Sequence, residues 1–224
     1  MSLPATHLRF ALAIREDLGA TDLERYVSGV VYPDTRYLTG IPRHLTHDFG
    51  RFALAAALTD FERGWLAHLL GDRVFRRVSE DAFPDLFLSD ELGERWTVAA
   101  AVKTLQDAAD ANAFDLQALL PHLDYYELHF HEDERKVIEY NESVRATYAG
   151  KARVTVEDCF ELWRRLGVGE RALARLRKQL IELGADAALV ASVGENFGRG
   201  MEFYRAEYRA RTRAGQWDAF EIKK

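Results

Sequence analysis

The amino-acid sequence predicts an all-α fold, built as a single multi-helix domain. Only five prolines occur in 224 residues, and long stretches are rich in Ala, Leu, Arg and Glu, which lose little side-chain freedom in a helix. The period-two alternation typical of strands is absent beyond a few residues. Hydrophobic residues make up 48% of the chain, which is enough for a sizeable core. No repeat or linker divides the sequence, so residues 1–224 are expected to form one domain.

The first predicted helix begins after the N-cap Thr6 and ends before Gly19. His7 shares a face with apolar residues at helical spacing, which are Ala11, Ile14 and Leu18. His7 is therefore expected to point into the protein.

After this helix the helical pattern of the sequence is interrupted twice, at residues 29–34 and 39–42. Tyr32 precedes Pro33, and a residue before proline is pushed toward extended conformations. The sequence therefore predicts that Asp34 lies on a loop or at the start of a helix.

His68 and Asp72 lie one helical turn apart, on a face that also carries Phe61, Gly64 and Trp65. An aspartate directed into a core is costly unless a cation or several donors satisfy it. The histidine on the same face offers a nitrogen to the same ion. The pair therefore indicates a metal site, with a buried hydrogen-bonded couple between two helices as the other interpretation.

Mixed His and Asp ligands suit zinc, with manganese, iron or nickel as alternatives. The metal-site part of the chain is expected at about residues 1–80, with a helical remainder at 94–215. The pattern of residues 46–77 predicts two helices that meet near residues 59–60. Residues 81–93 are expected to form a connecting segment between helices. The further predicted helices span residues 96–120, 125–148, 155–166, 170–183 and 185–213.

The charge and composition exclude several classes of protein. The net charge of −6 gives no strong nucleic-acid signal, because a polyanion is held by a positive field. Cys159 is the only cysteine, which fits a reducing compartment. There is no secretory signal at the N-terminus and no apolar stretch long enough for a membrane span. A cytoplasmic protein is expected, and its oligomeric state is left open.

Four segments follow one another in the first part of the chain: residues 6–8 (THL), 29–34 (GVVYPD), 43–47 (RHLTH) and 64–72 (GWLAHLLGD). In this order they resemble the zinc-dependent phospholipase C family, which includes bacterial phospholipases C and fungal single-strand nucleases. That family uses a first-helix histidine, a Pro-Asp aspartate, a Thr-His histidine and a His-to-Asp pair one turn apart. Together the four segments cover roughly the first third of the chain.

The resemblance implies a ligand set and an activity. Asp34, His47, His68 and Asp72 would hold one ion, and Asp72 with His7 would help to hold or orient a second. The expected function is hydrolysis of a phosphate ester, because a Lewis-acid metal activates water and stabilises charge on a phosphoryl oxygen.

Nearby side chains supply the other expected roles. Asp34 or Asp48 would act as the general base, and the sequence does not choose between them. Arg36 and Arg43 follow or precede the expected ligands closely and would hold the phosphate bidentately. Pairing with surface acids is the commoner role for an arginine.

The chain departs from the family pattern at two points. Family phospholipases use a free N-terminal amino group as a ligand, whereas six residues precede His7 here. They also bind a third ion through residues further along, where this chain offers only His122, His129 and His131, at other spacings. His129 and Asp133 are predicted one helical turn apart, and a solvated helix face is the favoured interpretation of that segment.

Two alternatives remain. In an HD-type metal phosphohydrolase, the adjacent His47 and Asp48 would both be ligands and Asp34 would not. In a non-enzymatic metal-binding helical protein, four protein ligands would close the coordination sphere, as structural sites do.

Overall fold

The computed structural model describes residues 3–53, 57–88 and 91–216. Within these ranges every regular element is helical and no strand occurs, which confirms the predicted all-α class. The first half contains α1 (Pro4–Leu18), α2 (Leu23–Val31), α3 (Arg36–Thr39), α4 (Arg43–Thr46), α5 (Gly50–Ala53) and α6 (Asp60–Ala82). The second half contains α7 (Leu92–Ala111), α8 (Glu134–Tyr148), α9 (Val156–Arg165), α10 (Glu170–Gly184), α11 (Ala187–Gly194), α12 (Asn196–Glu207) and α13 (Arg209–Arg213). Short 3-10 helices cover Tyr32–Thr35, Pro84–Phe87 and Leu120–Asp124.

Helix α6 lies at the centre of the fold. Thr59 and Glu62 begin it with a reciprocal capping box, in which each side chain accepts a hydrogen bond from the other residue's backbone N–H. Helices α1, α2 and α12 pack around it, and its side chains are buried on every side from Gly64 to Asp72. The predicted face with His68 and Asp72 is therefore inside the protein.

Helices α2 and α6 approach closely through two glycines. A Cβ atom on Gly29 would lie 1.9 Å from the Phe61 carbonyl oxygen, and one on Gly64 would lie 2.0 Å from the Tyr26 carbonyl oxygen. Only residues without a Cβ fit at these contacts. The contact fixes α2 against the first two turns of α6.

Helix α7 joins the two parts of the chain into one core. It packs against α1 on one side and against α9, α10 and α11 on the other. The Asp107 carboxylate accepts a hydrogen bond of 2.8 Å from the Thr6 backbone N–H and so holds the first turn of α1. One hydrophobic cluster contains residues of both parts, which form a single compact domain.

The segment at residues 29–34 differs from its prediction. Tyr32 has φ −54° and ψ −43°, which is helical and not extended. Asp22 caps α2 by accepting from the Arg25 backbone N–H, and the chain stays helical up to Val31. It then tightens into the 3-10 helix that contains Pro33, a residue without an N–H to donate. Asp34 sits in this short helix.

Several predicted helix boundaries are also wrong. The predicted helix 96–120 ends at Ala111, where the Asn112 side chain donates to the carbonyls of Ala108 and Val154. The predicted helix 125–148 starts only at Glu134, with Asp133 as its N-cap. The region 185–213 forms three helices, interrupted at Glu195 and Tyr208. None of the described helices is long and apolar enough to cross a membrane.

Candidate metal centre

His68 projects from the buried face of α6 with one ring nitrogen fixed by a helix carbonyl. Its Nδ1 lies 2.9 Å from the Val30 carbonyl oxygen. Since a carbonyl can only accept, Nδ1 carries the proton and Nε2 carries the lone pair. Nε2 is buried without a hydrogen-bond partner. This is the arrangement of a histidine whose second nitrogen is oriented for a metal.

His47 follows the last residue of α4 and is held in a similar way. Its Nδ1 lies 2.7 Å from the Thr46 hydroxyl, which lies 3.3 Å from the Arg43 carbonyl oxygen. The hydroxyl donates to that carbonyl and accepts from the His47 Nδ1–H. His47 Nε2 is likewise buried without a hydrogen-bond partner. Thr46 is a positioning residue that the sequence pattern does not single out.

Asp34 reaches the same place from the 3-10 helix after α2. Its Oδ1 is buried without a hydrogen-bond partner and lies 3.9 Å from His47 Nε2. Arg36 Nε lies 3.7 Å from the same oxygen. Burial raises the pKa of the Asp34 carboxyl, and the negative charge of Asp72 raises it further. A bound cation would offset both effects.

Asp72 lies between His47 and His7. Its Oδ2 is 3.5 Å from His47 Nε2, and its Oδ1 is 3.4 Å from His7 Nε2. Arg43 Nη2 donates to Oδ2 over 3.3 Å. Burial alone raises the pKa of the Asp72 carboxyl, yet its basic neighbours, including the hydrogen-bonding His7, hold that pKa well below its ordinary value.

His7 stacks on His68 within the core. The two ring centroids are 3.7 Å apart and the ring planes differ by 13°. Gly71 leaves room for this stack, because a Cβ there would come within 3.0 Å of His7 Nδ1. Helix α1 thus places His7 in contact with both the His68 ring and the Asp72 carboxylate.

Both buried histidines that face Asp34 are neutral at physiological pH. Burial lowers the pKa of His47 to about 3, against the opposing charge of Asp72. Burial also lowers the pKa of His68 well below its ordinary value. Neutral imidazole is the form that binds a metal.

The five side chains form two overlapping groups whose ligand atoms lie within 4.8 Å of one another. One group is His7, His68 and Asp72, and the other is Asp34, His47 and His68. Imidazole and carboxylate together are a donor set that zinc accepts. Three buried atoms without hydrogen-bond partners, on Asp34, His47 and His68, fit a cation at their centre.

A cleft of about 320 Å³ opens beside these residues. It is lined by Arg43, His47, Phe49, Leu69, Asp72, Arg73, Arg76, Arg77 and Glu80. Four of these nine residues are arginines. The sequence pattern singled out only Arg43, since arginines on a helix surface usually face solvent. Their convergence depends on how α4 packs against α6.

The remaining predicted site residues lie at different places. Arg36 is beside Asp34, away from the lining of the cleft, and Arg43 lines the cleft. Asp48 is exposed, and its Oδ1 accepts from the Gly50 backbone N–H over 2.9 Å. Within the described residues Asp48 belongs to neither ligand group.

The predicted relation between His129 and Asp133 is wrong, because residues 125–133 are not helical. His129 is half-buried and stacks on Phe61, with ring centroids 5.2 Å apart. Its Nε2 lies 3.3 Å from Glu127 Oε2. The solvated helix face expected for this segment is therefore not formed. In the described part of the chain, His122, His129 and His131 join no group of metal ligands.

Comparisons of the chain with family models, with curated proteins and with solved structures give no match.

Proposed function

We propose that this protein is a metal-dependent hydrolase of phosphate esters and that zinc is its metal. The observation that carries the proposal is the convergence of three buried, unbonded ligand atoms, on Asp34, His47 and His68, beside a cleft with four arginines. A cation would satisfy the three ligand atoms, and the positive charge of the cleft suits an anionic substrate.

The ligand atoms suggest how the ion is held. Asp34, His47 and His68, whose ligand atoms lie within 4.8 Å of one another, would hold one ion. Asp72 Oδ2, which lies 3.5 Å from His47 Nε2, would be a fourth ligand. The second carboxylate oxygen of Asp72 faces His7 Nε2, which supports a role for His7 in orienting Asp72 or in holding a second ion. The order of these ligands along the chain favours a likeness to the zinc-dependent phospholipase C fold.

The side chains around the ligands supply the other parts of the reaction. When bound, a Lewis-acid ion activates water and stabilises the charge that develops on a phosphoryl oxygen. Arg43, at the wall of the cleft, would hold the phosphate oxygens through its planar guanidinium. Of the two acids expected to accept the proton, only Asp34 lies among the ligands, and we assign it the role of general base.

Two rival functions give different results in one experiment. Zinc-loaded wild type, Asp34→Asn and the matched surface variant Asp48→Asn are assayed with a panel of phosphomonoesters and phosphodiesters. We expect turnover by wild type and Asp48→Asn, and loss of it in Asp34→Asn. The opposite pattern would support the HD-type interpretation with His47 and Asp48. Bound zinc without turnover of any ester would support a non-enzymatic metal protein.

A further inference from the structure

A second cavity lies between α6, α7 and the 3-10 helix Pro84–Phe87. Its volume is about 170 Å³. Phe75, Phe87, Ala99 and Val102 form apolar walls, and the other lining residues are polar: Arg76, Ser79, Glu80, Arg95, Lys103 and Gln106. None of these residues is a candidate metal ligand, and the two phenylalanines distinguish this cavity from the cleft beside the metal ligands.

The two cavities adjoin along α6. Arg76 and Glu80 line both of them. These residues follow Asp72 by one and two helical turns, which places them roughly 6 and 12 Å further along the helix axis. Arg76 Nε donates to Glu80 Oε1 over 3.0 Å, so the shared wall is an ion pair at the surface of α6. A molecule that reaches from Asp72 into the apolar cavity would pass beside this ion pair.

Positive side chains outnumber acids in the lining of the apolar cavity. Lys103 and Arg95, on α7, line it together with Arg76, and Glu80 is the one acid among its lining residues. Arg76 stands on the opposite wall. An anionic group thus finds positive charge at the junction, and an apolar group finds Phe75 and Phe87 beyond it.

Resting on the proposed function, we infer that the substrate is a phosphate ester of a ring-sized, mainly apolar alcohol, whose organic group occupies the cavity between α6 and α7. The size supports this class, because a dry apolar cavity of about 150 Å³ accepts one benzene molecule. A ring there would remove apolar surface from water, while its phosphate remains at the cleft that contains Arg43 and Asp72.

The test is the binding of two unreactive phosphonates, phenylphosphonate and methylphosphonate, to the zinc-loaded full chain, measured by calorimetry. Both carry the same anionic head and differ only in the organic group. We expect phenylphosphonate to bind at least about tenfold more tightly, because its ring is buried.

A matched pair of variants locates the ring. Ala99→Leu narrows the cavity and is expected to remove the preference for phenylphosphonate while leaving the affinity for methylphosphonate unchanged. Ala109→Leu makes the same change at an exposed position of α7 and should keep the wild-type ratio.

The outcomes separate this inference from the proposed function. If wild type binds phenylphosphonate and methylphosphonate equally tightly, or if Ala99→Leu keeps the wild-type ratio of these two affinities, the inference is overturned and the proposed function still stands. Failure of both phosphonates to bind would overturn the proposed function and the inference with it. The ratio of the two phosphonate affinities in wild type tests the inference even where a variant does not fold.

Discussion

His68 Nδ1 lies 2.9 Å from the carbonyl oxygen of Val30, so a backbone group of α2 orients a ligand of α6. The carbonyl belongs to the last turn of α2, directly before the 3-10 helix that carries Asp34. Packing between these two helices therefore places two of the candidate ligands at once. Ligand geometry and helix packing are coupled in this protein.

Because α2 and α6 are in close contact, adding one methyl group at Gly29 is expected to lower the free energy of unfolding substantially. Gly29→Ala would place a Cβ 1.9 Å from the Phe61 carbonyl oxygen, and overpacking against backbone costs about 2 kcal/mol or more of unfolding free energy. Urea unfolding measures the loss. Gly198→Ala, in an open position within α12, should be neutral or stabilising by roughly 0.5–1 kcal/mol. Equal stability of the two variants would contradict the described contact.

The Thr46 hydroxyl is expected to control metal affinity through His47. Thr46→Val keeps the shape of the side chain but removes the acceptor for His47 Nδ1–H. Loss of such a partner typically weakens metal binding by about 10- to 100-fold. Thr46→Ser keeps the hydroxyl and should bind nearly as wild type. Competition with a chelating dye gives both dissociation constants, and similar values for Val and Ser would argue against this role.

Arg43 is expected to bind phosphate at the edge of the cleft. Arg43→Gln should weaken the binding of inorganic phosphate to the zinc-loaded protein by at least about tenfold, since a charge-assisted hydrogen bond contributes about 1.5–3 kcal/mol. Phosphate binding is compared at saturating zinc, because Arg43 Nη2 also donates to the proposed ligand Asp72. Arg205→Gln, on the exposed side of α12, is the matched control. A phosphate affinity that is unchanged in Arg43→Gln speaks against the assigned position of the phosphate.

The buried Asp107 carboxyl is expected to make the folded protein less stable as the pH rises. Burial raises its pKa to about 6, although the Tyr148 hydroxyl and the Thr6 N–H donate to it. Because the folded pKa exceeds the unfolded one, the folded state binds more protons between pH ~4 and ~6 and loses relative stability across that window. The stabilisation lost is on the order of 2–3 kcal/mol.

The variant Asp107→Asn isolates this contribution. Unfolding free energies of wild type and Asp107→Asn are measured by urea denaturation from pH 4 to pH 7. We expect the wild type to lose stability relative to the variant as the pH rises. A constant difference between the two would show that the Asp107 carboxyl titrates normally, and a change of the opposite sign would show that folding lowers its pKa; either result would contradict the prediction.

Part of the site can be predicted from the sequence, because it depends on local spacing. His68 and Asp72 share a helix face by their one-turn separation, and the same periodicity directs His7 inward. Asp34 and His47 follow only from a resemblance in residue order, since no periodicity indicates where a residue in a 3-10 helix or after a short helix points.

Other features depend on tertiary packing and leave no clear local signal. Helix α2 contains a glycine and ends at a Tyr-Pro pair, both typical of a break, yet the contact with Phe61 requires that glycine within a helix. Arg76 and Arg77 are exposed and pair with Glu80 and Asp81, as on an ordinary solvated helix face, and only the tertiary structure shows that they also line the cleft beside Asp72. Asp107 resembles any polar helix residue until Thr6 and Tyr148 donate to it.

The most direct test of the account is the zinc content of the purified protein, measured after reconstitution and removal of excess metal. Wild type and His44→Ala, in which an exposed histidine near the site is changed, should each retain at least about one equivalent. His68→Ala should retain far less, because the shared ligand of both groups is lost. Wild-type protein that keeps no zinc, or His68→Ala that keeps as much as wild type, would contradict the central claim.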